Sequence, residues 1–294
     1  MPAPDGPVLL ADGTGLLVRC SRAARGSGLH AADGTPTATL MMLAGTLAAR
    51  VRETRPGRVV VAWDGPGGLD WRRSLWGPYK RGRRPRARDG GLEEAQAREL
   101  VDAAGIPQVT VPGFEADDVI AALWRAASRG LPGERIVIWS CDDDLLQLLD
   151  GRTERATLRG VPPDRDVDVE RRWRAHPRLL PCLRALAGDA SDGIPGVRGI
   201  GPARAVQALA GSGFRWPLPA LDRATLGDPE APVEAWKDIM ELADPPRQPG
   251  VPSGDGFWEA ARWEGAVTGG LTGFLRRYEL SSLAARAERG ALWQ

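Results

Sequence analysis

The sequence is poor in the residues that build the commonest metal sites and disulfide frameworks. Its 294 residues include only three cysteines, Cys20, Cys141 and Cys182, and two histidines. An odd number of widely spaced cysteines predicts neither a disulfide framework nor a zinc site. Two histidines are too few for a multi-histidine metal site. A cytoplasmic location is therefore expected.

Long hydrophobic runs and an excess of one charge are also absent. No run approaches the roughly 18 apolar residues that a membrane helix needs. The N-terminus lacks the basic-then-apolar pattern of an export signal. The formal net charge is +1, so overall charge favours no class of partner. The hydrophobic content of 43% and the charged content of 26% are typical of a globular protein.

Short apolar runs alternate with helical patterns over the first half of the chain. Buried strands are predicted at 7–12, 58–64, 107–112 and 135–142, and helices at about 36–54, 92–104, 115–129 and 142–149. This alternation predicts an α/β fold with a mostly parallel central sheet flanked by helices. The pattern becomes helical from about residue 168. We therefore expect an α/β core over 1–175 and a helical region over 176–294.

Carboxylates stand where the predicted strands end. Asp12, Asp64 and Asp142 end three strands, and the fourth strand leads into the sequence EADD, which holds Glu115, Asp117 and Asp118. The carboxyl ends of parallel strands meet at one edge of a sheet. Helix capping explains one or two acids of EADD, but carboxylates converging from four strands would repel each other unless cations lay between them.

Two further segments add acids to this edge. On a helical wheel over 142–150, Asp142 lies inside the apolar face and Asp144 at its margin, whereas Asp143 points to solvent. The segment GDASDG supplies two more. The nine candidate metal ligands are Asp12, Asp64, Glu115, Asp117, Asp118, Asp142, Asp144, Asp189 and Asp192. Oxygen ligands favour Mg²⁺ or Mn²⁺, and paired ions suit phosphodiester hydrolysis. Calcium storage is the weaker alternative, because no loop has EF-hand spacing.

Two segments have features of nucleic-acid binding. Residues 70–90 combine eight basic side chains with Trp71, Trp76 and Tyr79. Cations interleaved with aromatics suit a single strand, although a solvated basic loop is the alternative. The sequence GVRGIGPARA predicts a glycine turn into a helix that begins near Pro202, whose exposed N–H groups can hold a phosphate oxygen.

Five blocks of the sequence, in this order, resemble the 5′-nuclease family. They are LLADGTGLLVRC, VVVAWDGPGGLDWRRSLWGPYKRGRRP, PGFEADDVIAAL, IVIWSCDDDLLQLL and LAGDASDGIPGVRGIGPARAVQAL, covering residues 8 to about 210. The family comprises the 5′→3′ exonuclease domain of bacterial DNA polymerase I, stand-alone bacterial relatives and phage flap endonucleases. The resemblance implies a PIN-like core and a structure-specific nuclease that hydrolyses DNA at 5′ flaps and 5′ ends. Its implied cofactors are two Mg²⁺ ions, for which Mn²⁺ can substitute, and its implied processes are replication and repair.

The resemblance also implies roles for single residues. It places Asp12, Asp64, Glu115, Asp117 and Asp118 around a first ion, with Asp142 near it as a catalytic residue, and Asp144, Asp189 and Asp192 around a second. Lys80 and Arg83 match the basic pair that contacts the scissile phosphate from an arch or clamp at about 70–90. A helix–hairpin–helix with bound K⁺ is implied at about 193–210. The implied DNA-binding residues are Arg72, Arg73, Tyr79, Lys80, Arg81, Arg83, Arg84, Gly199, Gly201 and Arg204.

The sequence departs from the family pattern at a few positions. Cys141 stands where glycine is usual and Asp143 where a basic residue is common, and the match fades after about residue 210. Two alternatives stay open: a metal-dependent ribonuclease of the related PIN-like class, and a non-catalytic protein that binds flap DNA. The expected partners are DNA with 5′ flaps or 5′ ends and a DNA polymerase acting in trans. A monomer without membrane attachment is expected.

Overall fold

The fold is built on a parallel sheet. The computed structural model describes residues 6–82, 90–157, 160–214, 216, 231–265 and 268–293. The strands are β1 (Val8–Asp12), β2 (Arg58–Trp63), β3 (Gln108–Thr110), β4 (Ile136–Trp139) and β5 (Thr153–Ala156). All neighbouring strands pair in parallel, in the order β3-β2-β1-β4-β5. The predicted α/β class and the four predicted strands are confirmed, and β5 is an additional edge strand.

Helices cover both faces of this sheet and continue after it. Their bounds are α1 Gly13–Ala24, α2 Ala38–Thr54, α3 Asp70–Leu75, α4 Gly90–Ala103, α5 Ala116–Gly130, α6 Asp166–Trp173, α7 Leu180–Ala187, α8 Pro202–Gly211, α9 Val233–Met240, α10 Asp255–Ala260, α11 Thr268–Arg277 and α12 Ser281–Glu288. Short 3₁₀ helices span Asp143–Leu148 and Pro177–Leu179. Within the described ranges, no helix is long and apolar enough to cross a membrane.

Alternate residues of the central strands enter two different hydrophobic clusters. Leu9 and Val61 pack with α1, α2 and α4, and the C-terminal helices α11 and α12 join this cluster. Leu10 and Val60 pack with α5 and Trp258 of α10 on the other face. Burial on both faces is why the strands consist of nearly continuous apolar runs. Packing on both faces of the sheet therefore holds the carboxyl ends of the strands in place.

The prediction of a helix over 142–149 is partly wrong. The backbone forms a 3₁₀ helix over Asp143–Leu148, whose N-cap Asp142 accepts a hydrogen bond from the backbone N–H of Asp144. Residue 149 is already extended, because the chain must turn at Asp150 into β5. The connection between β4 and β5 therefore contains a short 3₁₀ helix in place of the predicted α-helix.

Candidate active site

The strand ends bring the predicted carboxylates together at one edge of the sheet. Asp12, the last residue of β1, lies beside Ala62 of β2, two residues before Asp64. On the other side of β1, Ala11 lies beside Trp139 of β4, three residues before Asp142. The parallel register thus explains how acids distant in sequence share one edge.

Asp12 is buried at the centre of this edge. Its carboxylate accepts hydrogen bonds from the backbone N–H of Gly15 (2.7 Å) and from Ser140 Oγ (2.8 Å). Burial raises the pKa of Asp12 to about 7, and the charges of Asp64 and Asp142 add to the increase. A carboxyl group held in this way exchanges a proton for a cation readily near neutral pH. Such an environment fits a metal ligand.

The first turn of α5 holds the EADD acids in different orientations. Asp64 Oδ1 accepts a hydrogen bond from the backbone N–H of Ala116 (2.9 Å), which ties β2 to the start of α5. Asp118 accepts one from the backbone N–H of Glu115 (3.1 Å), as a capping residue does. Asp117 lies near Asp142 and Asp144, the acids that follow β4.

One carboxylate oxygen from each of Asp117, Asp142 and Asp144 lies within 4.8 Å of the others. Oxygens at this spacing can converge on one hard divalent cation with small movements of the side chains. The three residues come from α5, from the N-cap of the 3₁₀ helix and from its first turn. The donor set therefore fits a divalent metal ion.

Arg72 and Asp118 form a buried pair behind this metal-binding face. The Arg72 guanidinium donates to both Asp118 oxygens at 2.7 Å and to Glu115 Oε2 at 3.1 Å. The Arg72 side chain is 1% exposed and that of Asp118 is 0% exposed. The Arg72 side chain is therefore buried, and both Asp118 oxygens accept hydrogen bonds from it. The DNA-binding role of Arg72 and the metal-binding role of Asp118 stay predictions.

Tyr79 and Lys80 complete this network around Glu115. Tyr79 Oη donates to Glu115 Oε2 (2.9 Å), and Lys80 Nζ donates to Glu115 Oε1 (2.7 Å). Tyr79 is 1% exposed, so its ring is covered by protein, and its DNA-binding role stays a prediction. Lys80 has a φ of 49°, in the left-handed region that residues other than glycine rarely adopt. Its ammonium group lies 2.7 Å from Glu115 and 4.0 Å from Asp192.

The second predicted group of acids lies beside two basic side chains, Arg184 and Lys80. Asp144 contacts Arg184, whose Nη1 is 3.4 Å from Asp189 Oδ2. Asp192 Oδ1 is 4.0 Å from Lys80 Nζ. Burial acts to raise the pKa of Asp189, but hydrogen bonds from Ser191 and the Arg184 charge outweigh it and lower that pKa. Residues of this group line a polar cavity of about 310 Å³, together with Cys141, Asp142, Asp143 and Ser191.

The glycine turn predicted before Pro202 is present. It connects α7 to α8, with Gly196 and Gly199 at positive φ and Pro202 in the first turn of α8. Gly199, Gly201 and Arg204 are exposed, and Arg204 Nη1 donates to the carbonyl of Gly199 (3.0 Å). Ile194 and Val197 are buried beneath the turn. The backbone N–H groups at the start of α8 therefore face solvent, as a phosphate contact requires.

The basic segment lies against this turn. Lys80 N–H donates to the carbonyl of Asp192 (3.0 Å), and Trp76 Nε1 donates to the carbonyl of Gly193 (3.0 Å). Arg73 and Arg81 are exposed, as the DNA-binding prediction requires. The predicted Arg83 and Arg84, with Arg86 and Arg88, lie outside the described residues.

Sequence reasoning missed three residues that organise the site. Ser140 donates to Asp12 and accepts from the backbone N–H of Asp142 (3.0 Å). Arg155 of β5 donates to the carbonyl of Asp142 (2.8 Å) and to Asp143 Oδ1 (2.7 Å). Arg184 contacts the second group of acids. Only Ser140 had a signal in the sequence, since it sits between a strand and its terminal acid.

Comparison with known proteins agrees with this geometry. The family profile described as "5'-3' exonuclease, N-terminal resolvase-like domain" matches residues 7–170. The chain belongs to the 5′-3′ exonuclease family. The match covers the sheet and the acids on β1, β2, α5 and the segment after β4.

Relatives of this 5′-3′ exonuclease family member include separate exonucleases and longer polymerases. The 5′-3′ exonuclease of Aquifex aeolicus is 33% identical over 185 residues, which are 62% of each chain. The thermostable DNA polymerase I of Thermus aquaticus is 35% identical over 208 residues, which are 70% of this chain and 24% of the polymerase. The chain therefore matches only about a quarter of the length of this polymerase relative.

Solved structures share the fold of this family member at low sequence identity. The T5 5′-exonuclease with bound zinc aligns with a TM-score of 0.63 and 20% identity, covering 80% of this chain and 89% of that one. The catalytic core of Rad2 in complex with DNA substrate aligns with a TM-score of 0.58 and 14% identity, covering 98% and 91%. Both likenesses establish the α/β architecture.

Proposed function

We propose that the chain is a structure-specific 5′ nuclease, a 5′→3′ exonuclease and flap endonuclease, that hydrolyses DNA phosphodiesters with the help of divalent metal ions. The observation that carries this proposal is the convergence of Asp117, Asp142 and Asp144 within 4.8 Å, beside the buried Asp12. Membership of the 5′-3′ exonuclease family supports the same reaction.

The donor set favours Mg²⁺, with Mn²⁺ as a substitute. The candidate ligands are carboxylate oxygens, and hard cations of this size prefer them. The first ion is assigned to Asp12, Asp64, Glu115, Asp117 and Asp142, and the second to Asp144, Asp189 and Asp192, with Asp144 close enough to Asp117 and Asp142 to contact the first ion as well. When bound, such ions lower the pKa of an attacking water and neutralise charge on the reacting phosphate.

The protein's own side chains position and neutralise the phosphate. Lys80 Nζ lies 2.7 Å from Glu115 and 4.0 Å from Asp192, so its charge sits between the two groups of acids. A compact ammonium there can attract a phosphate without enforcing the two-point geometry of a guanidinium. Asp142 is held in place by the backbone N–H of Asp144 (2.9 Å). Arg83 remains a proposed partner of Lys80.

The glycine turn before α8 is the proposed contact for the DNA duplex. Gly199, Gly201 and Arg204 are exposed beside the acidic edge, and Arg73 and Arg81 extend the basic surface. A K⁺ ion at the turn is part of this proposal. Replacing K⁺ by a bulky organic cation at constant ionic strength should weaken duplex binding, and unchanged binding would remove the ion from the proposal.

The test of function is cleavage of a 5′-labelled flap by the Asp142→Ala variant. We expect Mg²⁺-dependent cleavage by the variant to be roughly 10³-fold slower than by the wild type, because the variant loses a carboxylate assigned to the first divalent ion. Flap binding in Ca²⁺ should persist. Asp143→Ala is the matched control, since that side chain is 43% exposed and pairs with Arg155.

The same assay separates the alternatives. Preference for RNA over flap DNA would favour the PIN-like ribonuclease. Flap binding without any Mg²⁺-dependent cleavage by the wild type would favour a non-catalytic DNA-binding protein. Equal cleavage by Asp142→Ala and wild type would refute the site assignment.

A further inference from the structure

Arg184 occupies the space between two acids of the second group. It projects from α7, contacts Asp144 and brings Nη1 to 3.4 Å from Asp189 Oδ2. Its side chain is only 11% exposed. The guanidinium therefore neutralises the carboxylates that are assigned to the second divalent ion.

A guanidinium and a divalent ion compete for these oxygens. Two like charges a few ångströms apart repel each other strongly in a partly buried site. The third acid of this group, Asp192, has the Lys80 ammonium 4.0 Å away. All three proposed second-ion ligands thus have a cation of this chain beside them. In the first group, Glu115 also has protein cations beside it, Lys80 and Arg72, whereas the hydrogen-bond donors at Asp12 are uncharged.

The structure also provides space into which Arg184 can move. A second cavity of about 310 Å³ also borders Arg184. Arg184 lines this cavity with Asp143, Trp173, Leu183 and Pro202. The side chain can therefore leave Asp144 by changing rotamers while α7 stays in place. An incoming phosphate offers it a better partner, because a guanidinium pairs with two phosphate oxygens at once.

We propose that Arg184 is a built-in counter-ion that holds the second-ion position in the DNA-free protein and leaves it when a second divalent ion and a phosphate bind. This inference rests on the proposed function. Arg184 is a positioning residue here, since it acts through Asp144 and Asp189. The consequence is ordered loading: the first ion binds without DNA, whereas the second binds well only when DNA is present. Linkage requires the second ion to strengthen DNA binding by the same factor.

Titration of the DNA-free protein with Mn²⁺ by calorimetry tests this inference. In the wild type we expect one ion to bind at least roughly tenfold more tightly than the second. Arg184→Gln removes the charge and keeps hydrogen-bonding capacity, so the second affinity should rise roughly tenfold or more. Arg184→Lys should stay close to the wild type. Arg178→Gln is the matched control, because it removes an exposed charge that lies over the Trp124 ring.

A second measurement keeps the test valid if Arg184→Gln does not fold. The Nε–Hε resonance of Arg184 in the wild type can be assigned by its loss in Arg184→Lys. It should shift with the second equivalent of Mg²⁺ and with a non-cleavable 5′ flap. A resonance that responds to neither addition would overturn the inference.

The outcomes distinguish this inference from the proposed function. Two equally tight ions in the DNA-free wild type, or an unchanged second affinity in folded Arg184→Gln, would overturn the role of Arg184 and leave nuclease activity intact. A wild type that binds no divalent ion and cleaves no flap would overturn both.

Discussion

At the scale of single residues, the carboxylates of the site differ in what neutralises them. Asp118 pairs with the buried Arg72 guanidinium, and Asp144 and Asp189 lie beside Arg184. Asp12 is buried and lies near other acids. The strand pattern predicted that these acids meet, because parallel strands end on one edge. It could not predict which acid pairs with a protein cation, since Arg72 reaches Asp118, and Arg184 reaches Asp144, from an element distant in sequence.

The Arg72–Asp118 pair should contribute to stability. Arg72→Met leaves a carboxylate at 0% exposure without its bidentate partner. Removing one partner of a buried ion pair costs about 3–5 kcal/mol. Urea unfolding monitored by circular dichroism should show this loss.

The neighbouring Arg73 is the control for that change. Arg73→Met alters an exposed side chain that donates to the carbonyl of Tyr79 (3.3 Å). We expect it to change the free energy of unfolding by less than about 1 kcal/mol and to weaken DNA binding. If Arg72→Met instead kept the free energy of unfolding of the wild type and bound DNA less tightly, the result would support the prediction that Arg72 contacts DNA.

Asp12 should make the metal-free protein less stable as the pH rises. Its pKa is raised from the usual 3.8 to about 7 in the folded protein, so the folded state holds the proton more tightly than the unfolded chain does. The resulting stabilisation is complete below about pH 4 and is lost as the pH rises through about 7. In a chelator, the Tm should therefore fall by roughly 3–8 °C between pH 5 and pH 8.

Asp12→Asn isolates this contribution. The amide cannot titrate, so the difference in Tm between variant and wild type should grow in favour of the variant as the pH rises. Adding Mg²⁺ at pH 8 should raise the Tm of the wild type more than that of Asp12→Asn. Parallel Tm profiles for the two proteins would show that Asp12 has an ordinary pKa.

At the scale of elements, apolar runs that end on an acid were sufficient to predict β1, β2 and β4. The edge strand β5 was not predictable in this way, because its sequence TERA is polar. Its polar residues Thr153 and Arg155 are buried and hydrogen-bonded. Thr153 accepts a hydrogen bond from Trp124, and Arg155 donates to Asp164. Helix α1 was also not predicted, because it begins with the sequence GTG. Its first turn is held by the Asp12 carboxylate, which accepts a hydrogen bond from the backbone N–H of Gly15.

The 3₁₀ helix that carries Asp144 is fastened to the segment after α9 by Gln147. Gln147 Nε2 donates to the carbonyls of Asp144 (2.7 Å) and Met240 (2.9 Å). Its Oε1 accepts from the backbone N–H groups of Leu242 (2.7 Å) and Ala243 (3.3 Å). One buried amide thus joins the segment with the candidate metal ligands Asp142 and Asp144 to a region where the family resemblance has faded.

Replacing Gln147 should affect both stability and metal binding. Gln147→Ala leaves several buried backbone groups without partners, which should cost about 2–4 kcal/mol in urea unfolding. Loss of support behind Asp142 and Asp144 should weaken Mn²⁺ binding by roughly 10-fold. Gln207→Ala, at an exposed position of α8, is the control. Full Mn²⁺ affinity in folded Gln147→Ala would confine its role to stability.

At the scale of the whole molecule, the C-terminal helices pack into the same cluster as the sheet. Leu271, Phe274 and Leu275 of α11 and Leu283 of α12 are buried with Leu9 and Val61. The sequence pattern separated an α/β core from a helical region at about residue 175, and that boundary stays a prediction. Periodicity detects local elements, whereas the packing of α11 onto one face of the sheet depends on contacts distant in sequence.

Shared packing predicts a single cooperative unfolding transition. Leu275 is 0% exposed, so Leu275→Ala should cost about 2–5 kcal/mol through lost burial and a residual cavity. The loss should lower the temperature of the whole transition in differential scanning calorimetry, with calorimetric and van't Hoff enthalpies still equal. Leu29→Ala, at a position that is 42% exposed, should leave the Tm within about 1–2 °C of the wild type. If Leu275→Ala instead split the transition and moved only one part, the two regions would unfold as independent domains, and the packing of α11 on the sheet would contribute little to the stability of the metal-binding edge.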